Sequence, residues 1–396
     1  MMQTLGFPAP FPDGVFPIIC QNPYRRLKKS RSFISMQTIS DGAAALLPRL
    51  NLAAQAAKLG RMTEPCAATD QRPEHRITIA AHGGPEVLQW APVDLPPPGP
   101  GEVRLRTRAA GLNFIDTYHR SGLYPQPLPT GLGLEGAGVV EALGEGVTGW
   151  QPGDRAGIFT GPPGAYATAR NVPAAQLVRL PDSVPDEVAA AIMLKGATAE
   201  FLVERCARVQ PGSPVLVHAA AGGVGQLLVQ WLKHIGAAVI GTAGGAAKVA
   251  LAGAAGADHV IDYAVEDVAA RARDLTGGEG AQVVFDGVGA ATWEASLAAT
   301  ARRGLIVSYG NASGPVTGVA LASLAAAGSL YVTRPTLFDY YRAPEERAAG
   351  MDRLFGLVAA GVLSVKIGQR FALKDAAQAH RALEARQTTG STVLLP

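Results

Sequence analysis

Apolar and polar side chains alternate in short runs from about residue 75 to 195. VRLRTRAAGL (103–112) has the period of two of a half-buried strand, and GLEGAGVVEALGEGVTGW (133–150) is cut repeatedly by glycine. Turn sequences such as QPGD (151–154) and PPG (162–164) recur at short spacing. The pattern predicts a small, mostly β domain. From about 212 to 332 the rhythm changes. PVLVH (214–218) is an apolar strand, and VGQLLVQWLKHIG (224–236) has helical spacing and closes on Gly236 as a helix C-cap. AAVIGTAG (237–244), HVIDY (259–263), AQVVFDGVG (281–289) and GLIVSYG (304–310) follow as further strands, separated by helix-length segments. Such alternation predicts a parallel sheet with helices on both faces. Beyond it lie a helical AAGMDRLFGLVAAGVL (348–363) and a strand STVLLP (391–396), which can return to the first domain.

Residues 1–72 follow neither rhythm. Prolines break the first stretch, YRRLKKSRSFIS (24–35) is basic, and no acid occurs between Asp13 and Asp41. Ordered periodicity begins after Met62. We read this segment as an extension, either a mis-called start or a dispensable leader. A transit peptide and a folded or interacting segment are the alternatives.

At 396 residues the chain is long enough for two domains or more. With 48% apolar and 17% charged residues it belongs to the globular, soluble class. No stretch of about 18 uniformly apolar residues predicts a membrane span. The formal charge of +3 is misleading. Residues 1–61 hold eight Lys/Arg and two Asp, which leaves 27 basic and 30 acidic side chains for 62–396, a net of −3. A nucleic-acid partner needs a basic surface, so none is expected. Cys20, Cys66 and Cys206 lie far apart and form neither a disulfide framework nor a metal pair, which fits a reducing compartment and the cytoplasm; a genuine transit peptide would mean an organelle.

The chemistry concentrates first in HAAAGGVG (218–225). Ala220, Gly222 and Gly225 fit A-x-G-x-x-G, with a strand before, a helix after and a second strand about 15 residues on. In that setting Ala220 allows the tight turn, and Gly222 and Gly223 let a pyrophosphate approach the backbone at a helix N-terminus. Gly225 lets helix and strand pack closely. An NAD site usually carries an acid about 20 residues past the first glycine. Here the region reads IGTAGGAAK, without an acid and ending at Lys248, which attracts a 2′-phosphate. NADPH is therefore the expected cofactor. His218 reads as a packed, hydrogen-bonded residue and Asp154 as a turn residue. His119 and Lys195 read as supporting the site or only the fold. Spacing argues for no Ser-His-Asp or paired-carboxylate arrangement.

Taken together, HGGPEVLQ, GLNFIDTYHRSGLYP, HAAAGGVG, GTAGGAAK, SYGNASGPVTGV, GSLYVTRPTL and LKDAAQAH resemble the NADPH:quinone oxidoreductases, the zinc-independent, zeta-crystallin-like branch of the medium-chain dehydrogenases/reductases. The resemblance runs from about 75 to 396. It implies an α/β protein: a GroES-like, mostly β catalytic domain over 73–196, a Rossmann doubly wound parallel-sheet domain over 197–335, and a return to the catalytic domain over 336–396. It also implies a homodimer. Asn113 and Tyr118 become the candidate catalytic residues, and Phe114, Ile115, Asp116, Thr117 and Tyr118 would line the nicotinamide side. Phe201 and Val288 would contact the cofactor. Gly223 and Val224 would meet the pyrophosphate. Gly244, Gly245, Ala246, Ala247, Lys248 and Tyr263 would hold the adenosine phosphate end. Gly310, Asn311, Ala312, Ser313, Gly314 and Pro315 would complete the site with Pro335, Thr336, Leu337 and Arg386. Tyr309 stands where many relatives have Phe, and Ala312 where many have Ser.

Zinc-dependent relatives carry Cys in the GLNFID segment and Gly-His-Glu where this chain reads Gly133-Leu134-Glu135. Asn113 and Leu134 replace those ligands, so no metal is expected. Without a Lewis acid the acceptor must take hydride readily, as a quinone does. The competing readings are an NADPH-dependent 2-enal or enoyl reductase on the same fold, and a non-catalytic NADPH-binding structural or RNA-associated protein.

Overall fold

The computed structural model describes residues 73–396. The readings of the leader, and of Cys20 and Cys66, fall outside the described residues. Residues 73–396 belong to one compact unit.

Six parallel strands make one sheet: β1 (Pro214–Val217), β2 (Ala238–Ala243), β3 (His259–Asp262), β4 (Ala281–Asp286), β5 (Thr300–Ser308) and β6 (Tyr331–Thr333). Their order is 3-2-1-4-5-6, with Val215 of β1 opposite Val239 on one side and Val283 on the other. That order reverses at β1, and the crevice there is where such sheets bind dinucleotides. Val215, Leu216 and Val217 are fully buried, as a central strand covered on both faces requires. The first expected strands and helix thus form with boundaries shifted by a residue or two. The longest shift is in β5, which begins at Thr300 rather than 304.

The other sheet is mainly antiparallel. Its long central strand, Glu102–Leu112, alternates buried and half-buried through Thr107 and is buried throughout from Ala109. The change marks where helices cover its second face. It pairs with Glu135–Leu143 on one side, and on the other its end meets Ser391–Leu395, with Leu112 opposite Thr392 and Ala110 opposite Leu394. The expected return of the C-terminal segment is therefore made through a strand inside this sheet.

Three helices position the site. Helix α1 (Phe114–Ser121) leaves the end of the long strand, and the Asp116 carboxylate reaches back to the Asn113 N–H at its start (2.8 Å). Helix α2 (Asp186–Glu200) opens with two acids, which suit a helix N-terminus, and is buried all round from Ala189. It continues without a break into a π-helical segment, Phe201–Cys206. The division expected between 196 and 197 falls inside this element, because one helix packs on the antiparallel sheet and against helix α3 (Gly223–His234), which follows the glycine loop. Gly236, at φ 86°, sits just past its end, with the Gly236 and Ala237 amides bonded to the Lys233 and Leu232 carbonyls.

Candidate functional site

A cavity of about 750 Å³ lies between the two sheets. Its floor is the β1–α3 loop. A Cβ on Gly225 would stand 2.2 Å from the Ala219 carbonyl oxygen, so only glycine lets α3 approach β1 this closely. Ala219 itself holds φ 51°. The amides of Gly223, Val224 and Gly225 precede the first helical bond, from Gln226 N–H to the Gly222 carbonyl (2.9 Å), and remain free for an anion.

One end of the cavity is open and cationic. Lys248, exposed Tyr263 and Arg386 line it. Lys248 Nζ donates to the Arg386 carbonyl (3.1 Å), which leaves its charge facing the cavity mouth. Asp262 approaches from the end of β3, but its carboxylate accepts from the Gly245 and Ala264 amides (2.9 and 3.0 Å) and those bonds hold it below its usual range. It is therefore committed to the loop.

The other end is apolar and deep. Asn113, Phe114, Ile115, Tyr118, Leu134 and Phe201 line it together with Lys195. The Tyr118 hydroxyl accepts from the Asn311 N–H (3.0 Å), which ties the first lobe to the loop after β5. Burial pushes its pKa up to about 12, so it stays protonated and can donate. Beside it the Tyr124 hydroxyl accepts from Arg334 (2.7 Å). With its amide oxygen turned toward Tyr124, Asn311 accepts from that hydroxyl (2.9 Å) and donates to the Gly310 carbonyl (2.9 Å).

Beneath this end a fully buried carboxylate, Glu135, gathers three donors. Asn113 Nδ2 (2.9 Å) and Lys195 Nζ (3.3 Å) bond to Oε2, and the Leu194 N–H bonds to Oε1 (2.8 Å). The stem of Lys195 also lies across the glycine loop, where a Cβ on Gly223 would meet its Cδ at 2.9 Å.

Of the expected contacts, Gly244, Val288, Gly310, Ala312, Pro335, Thr336 and Leu337 line the cavity along with those named above. Nine do not. Asp116 and Thr117 occupy the far face of α1: Asp116 is fully buried and accepts from the Tyr166 hydroxyl (2.8 Å), and Thr117 bonds to the Phe114 carbonyl. Burial raises the Asp116 pKa to about 7, against the opposing hydrogen bonds of Tyr166 and the Asn113 N–H. Gly245 is engaged by Asp262, and Ala246, Ala247 and Pro315 are exposed away from the cavity. Asn311 is turned to Tyr124, Ser313 Oγ donates to the Val288 carbonyl (2.8 Å), and the Gly314 carbonyl accepts from the Ala290 amide. A contiguous stretch of sequence cannot present every residue to one side of a helix or turn, so carrying over whole segments overcounts.

His218 is hydrogen bonded at both ring nitrogens, to Thr242 (3.2 Å) and Ser296 (3.1 Å), and burial lowers its pKa. Ser296 in turn donates to Asp286 (2.7 Å). The order His–Ser–Asp directs the serine proton at the carboxylate, so this is a packing network and no nucleophile. Asp154 accepts from Gln151 N–H (3.0 Å) as a turn residue does. His119 is buried with its pKa lowered to about 4 by burial. Glu135, Tyr124 and Arg334 were missed as site residues. Glu135 and Arg334 stand inside the quoted GLE and TRP stretches, and their neighbours gave the only signal.

An open sheet of order 3-2-1-4-5-6 joined to an antiparallel sheet, with a cavity over its switch point, defines a medium-chain dehydrogenase/reductase. Residues 99–182 match the model for the alcohol dehydrogenase GroES-like domain, and residues 223–351 match the one described as zinc-binding dehydrogenase. A quinone oxidoreductase of Pseudomonas aeruginosa is 54% identical over 322 residues, covering 81% of this chain and 99% of that one. The solved structure of Escherichia coli quinone oxidoreductase complexed with NADPH is 47% identical with a TM-score of 0.80, covering 81% of this chain and all of that one. A 2-haloacrylate reductase from Burkholderia is 43% identical over 326 residues, 80% of this chain and 98% of that one. The chain belongs to the quinone oxidoreductase family. The zinc in one matched description finds no fit at the expected ligand positions: Asn113 gives its amide to Glu135, and Leu134 is a buried hydrocarbon. Among the described residues no three His, Cys, Asp or Glu side chains converge as metal ligands.

Proposed function

We propose that this protein reduces quinones with NADPH by direct hydride transfer. The cavity carries the reading: an open cationic end joined, past free helix amides, to a deep apolar end. Such an elongated site suits a dinucleotide with a small planar acceptor. The bound cofactor supplies the hydride. Lys248, Tyr263 and Arg386 hold its adenosine phosphate, and the amides of Gly223 and Val224 hold the pyrophosphate. Asn113 and Phe114 orient the nicotinamide end, while Ile115, Leu134 and Phe201 exclude water from the reacting pair. Tyr118 donates a hydrogen bond from its protonated hydroxyl toward the acceptor oxygen.

Steady-state NADPH oxidation against a panel of quinones and activated enones tests this reading. We expect turnover with quinones and a strong preference over NADH. Turnover confined to enones would favour the second reading, which the 43% identical 2-haloacrylate reductase supports. Binding of NADPH with no turnover on either class would leave a non-catalytic protein.

The same proposal takes the protein as a cytoplasmic homodimer. No helix among the described residues is long and apolar enough to cross a membrane. Strand β6 is the edge of the parallel sheet, and Tyr331 is 64% exposed there beside half-exposed Val332. An unprotected apolar edge favours pairing with a second copy. Light scattering that reports a monomer at micromolar concentration would remove the dimer, and cell fractionation checks the location.

A further inference from the structure

The reacting end holds a cation that the reading above leaves without a task. We propose that Lys195 is a catalytic residue, a fixed ammonium that donates a hydrogen bond to the acceptor oxygen as hydride arrives. The proposal rests on the quinone reductase reading.

Lys195 is only 5% exposed, yet it lines the cavity beside Asn113, Leu134 and Thr198. Its ammonium has three donors, and the protein supplies one acceptor, Glu135 Oε2, at a loose 3.3 Å. A buried pair kept only for stability would fill the remaining donors, because an apolar pair of similar volume usually serves the fold as well. Arg334, the other cation toward this end, has its Nη1 and Nη2 engaged by the Ser308 carbonyl and the Tyr124 hydroxyl. The Lys195 stem lies against the Gly223 backbone and its Nζ is tied to Glu135, so the charge is held in place before substrate enters. Asn113 and Leu134, at the positions of metal ligands in zinc-dependent relatives, provide no charge. Lys195 shares the Glu135 Oε2 atom with Asn113.

The step balances simply. Hydride adds to the quinone and reduces it to the hydroquinone monoanion. The Lys195 ammonium donates a hydrogen bond to the new oxyanion and keeps its own proton. The anion leaves and takes a proton from water. A preorganised donor of this kind in a dry site is worth roughly 10²–10³-fold in kcat.

Lys195→Met alone would leave Glu135 without a cation, so the test uses Lys195→Met/Glu135→Gln. The neutral amide that replaces the carboxylate still accepts from the Leu194 N–H, and the Asn113 amide can turn over to face it. We expect the double variant to melt within a few degrees of wild type and to bind NADPH within about twofold by fluorescence titration. Its quinone kcat should fall about 10²-fold. A kcat within about threefold of wild type would overturn the role of Lys195 while leaving quinone reduction intact. Absence of quinone turnover in the wild type would instead overturn the reading beneath it. A second readout needs no turnover. 4-Nitrophenol added to the NADP⁺ complex, at a pH where half the free phenol is ionised, should become mostly phenolate in wild type. It should stay half ionised or less in Lys195→Met/Glu135→Gln. Equal phenolate absorbance in the two proteins would also remove the proposal.

Discussion

Around Lys248 the cavity is built by neighbours, with Arg386 the one distant contributor. β2, the GTAGGAAK turn and Tyr263 lie within one strand–helix–strand stretch, and the groups that face the mouth are half-buried or exposed. Around Lys195 it is built by strangers. Glu135 comes from a strand 60 residues earlier, Asn113 from another strand end, and Gly223 from the start of α3. At the first end charge is screened by water and works as recognition. At the second it is enclosed, where each unpaired group is costly and each aligned one is strong. One cavity thus uses loose cations to choose its cofactor and a tight buried network to act on its substrate.

That contrast can be broken most severely at the enclosed end. Lys195→Met strands the Glu135 carboxylate, and we expect a loss of about 3–5 kcal/mol in urea unfolding. Lys248→Ala, at the open end, should change urea stability by less than about 0.5 kcal/mol. Next in size is Tyr118→Phe, which keeps the ring and deletes the donor. Its kcat should fall roughly 10²-fold, within the range for acid–base and oxyanion effects, with NADPH affinity unchanged. An unaltered kcat, with deuterated NADPH still giving a primary isotope effect, would leave hydride transfer standing without Tyr118. At the open end Lys248→Ala should weaken NADPH by about 1.5–3 kcal/mol, roughly ten- to hundredfold, and NADH hardly at all. Equal losses for both cofactors would erase the distinction between the two ends.

A pH-dependent effect concerns Asp116, just behind the enclosed end. Burial raises its folded pKa to about 7 from an ordinary 3.8. The folded protein therefore holds a proton that the unfolded chain has lost, and stability falls as pH rises from about 4 through 7. Asp116→Asn cannot ionise and escapes that fall. Its melting temperature should match wild type at pH 4 and exceed it by several degrees at pH 8, because a pKa raised from 3.8 to about 7 is worth about 4 kcal/mol by linkage. Parallel melting curves across that window would show that the carboxyl titrates elsewhere.

The two ends also differ in how far they could be read from the sequence. The glycine loop, the missing acid and Lys248 are set by spacing along the chain, and the parallel sheet has the alternation that HVIDY and AQVVFDGVG advertise. The antiparallel lobe was legible as strands but not as pairings. Glu135 reads as one acid in a glycine-rich strand, and nothing local reveals that Lys195 and Asn113 converge on it. The same limit explains Asp116. Its segment matched, but which face of α1 meets the cavity depends on Tyr166, 50 residues away. The expected break at 196/197 failed to respect α2 because a helix buried on every side has no periodicity to show which lobe it serves.

Strand Ser391–Leu395 lies between Ile367–Ala372 and the long strand Glu102–Leu112 rather than at an edge. A ribosome makes residues 102–112 nearly three hundred residues before their neighbour. The nucleotide sheet is wholly synthesised in the interval and can fold as it emerges, while the first lobe waits with an open flank. Completion of the catalytic lobe thereby waits for the nucleotide lobe, and a nascent chain stalled before residue 391 would be competent to hold cofactor before it could enclose a substrate.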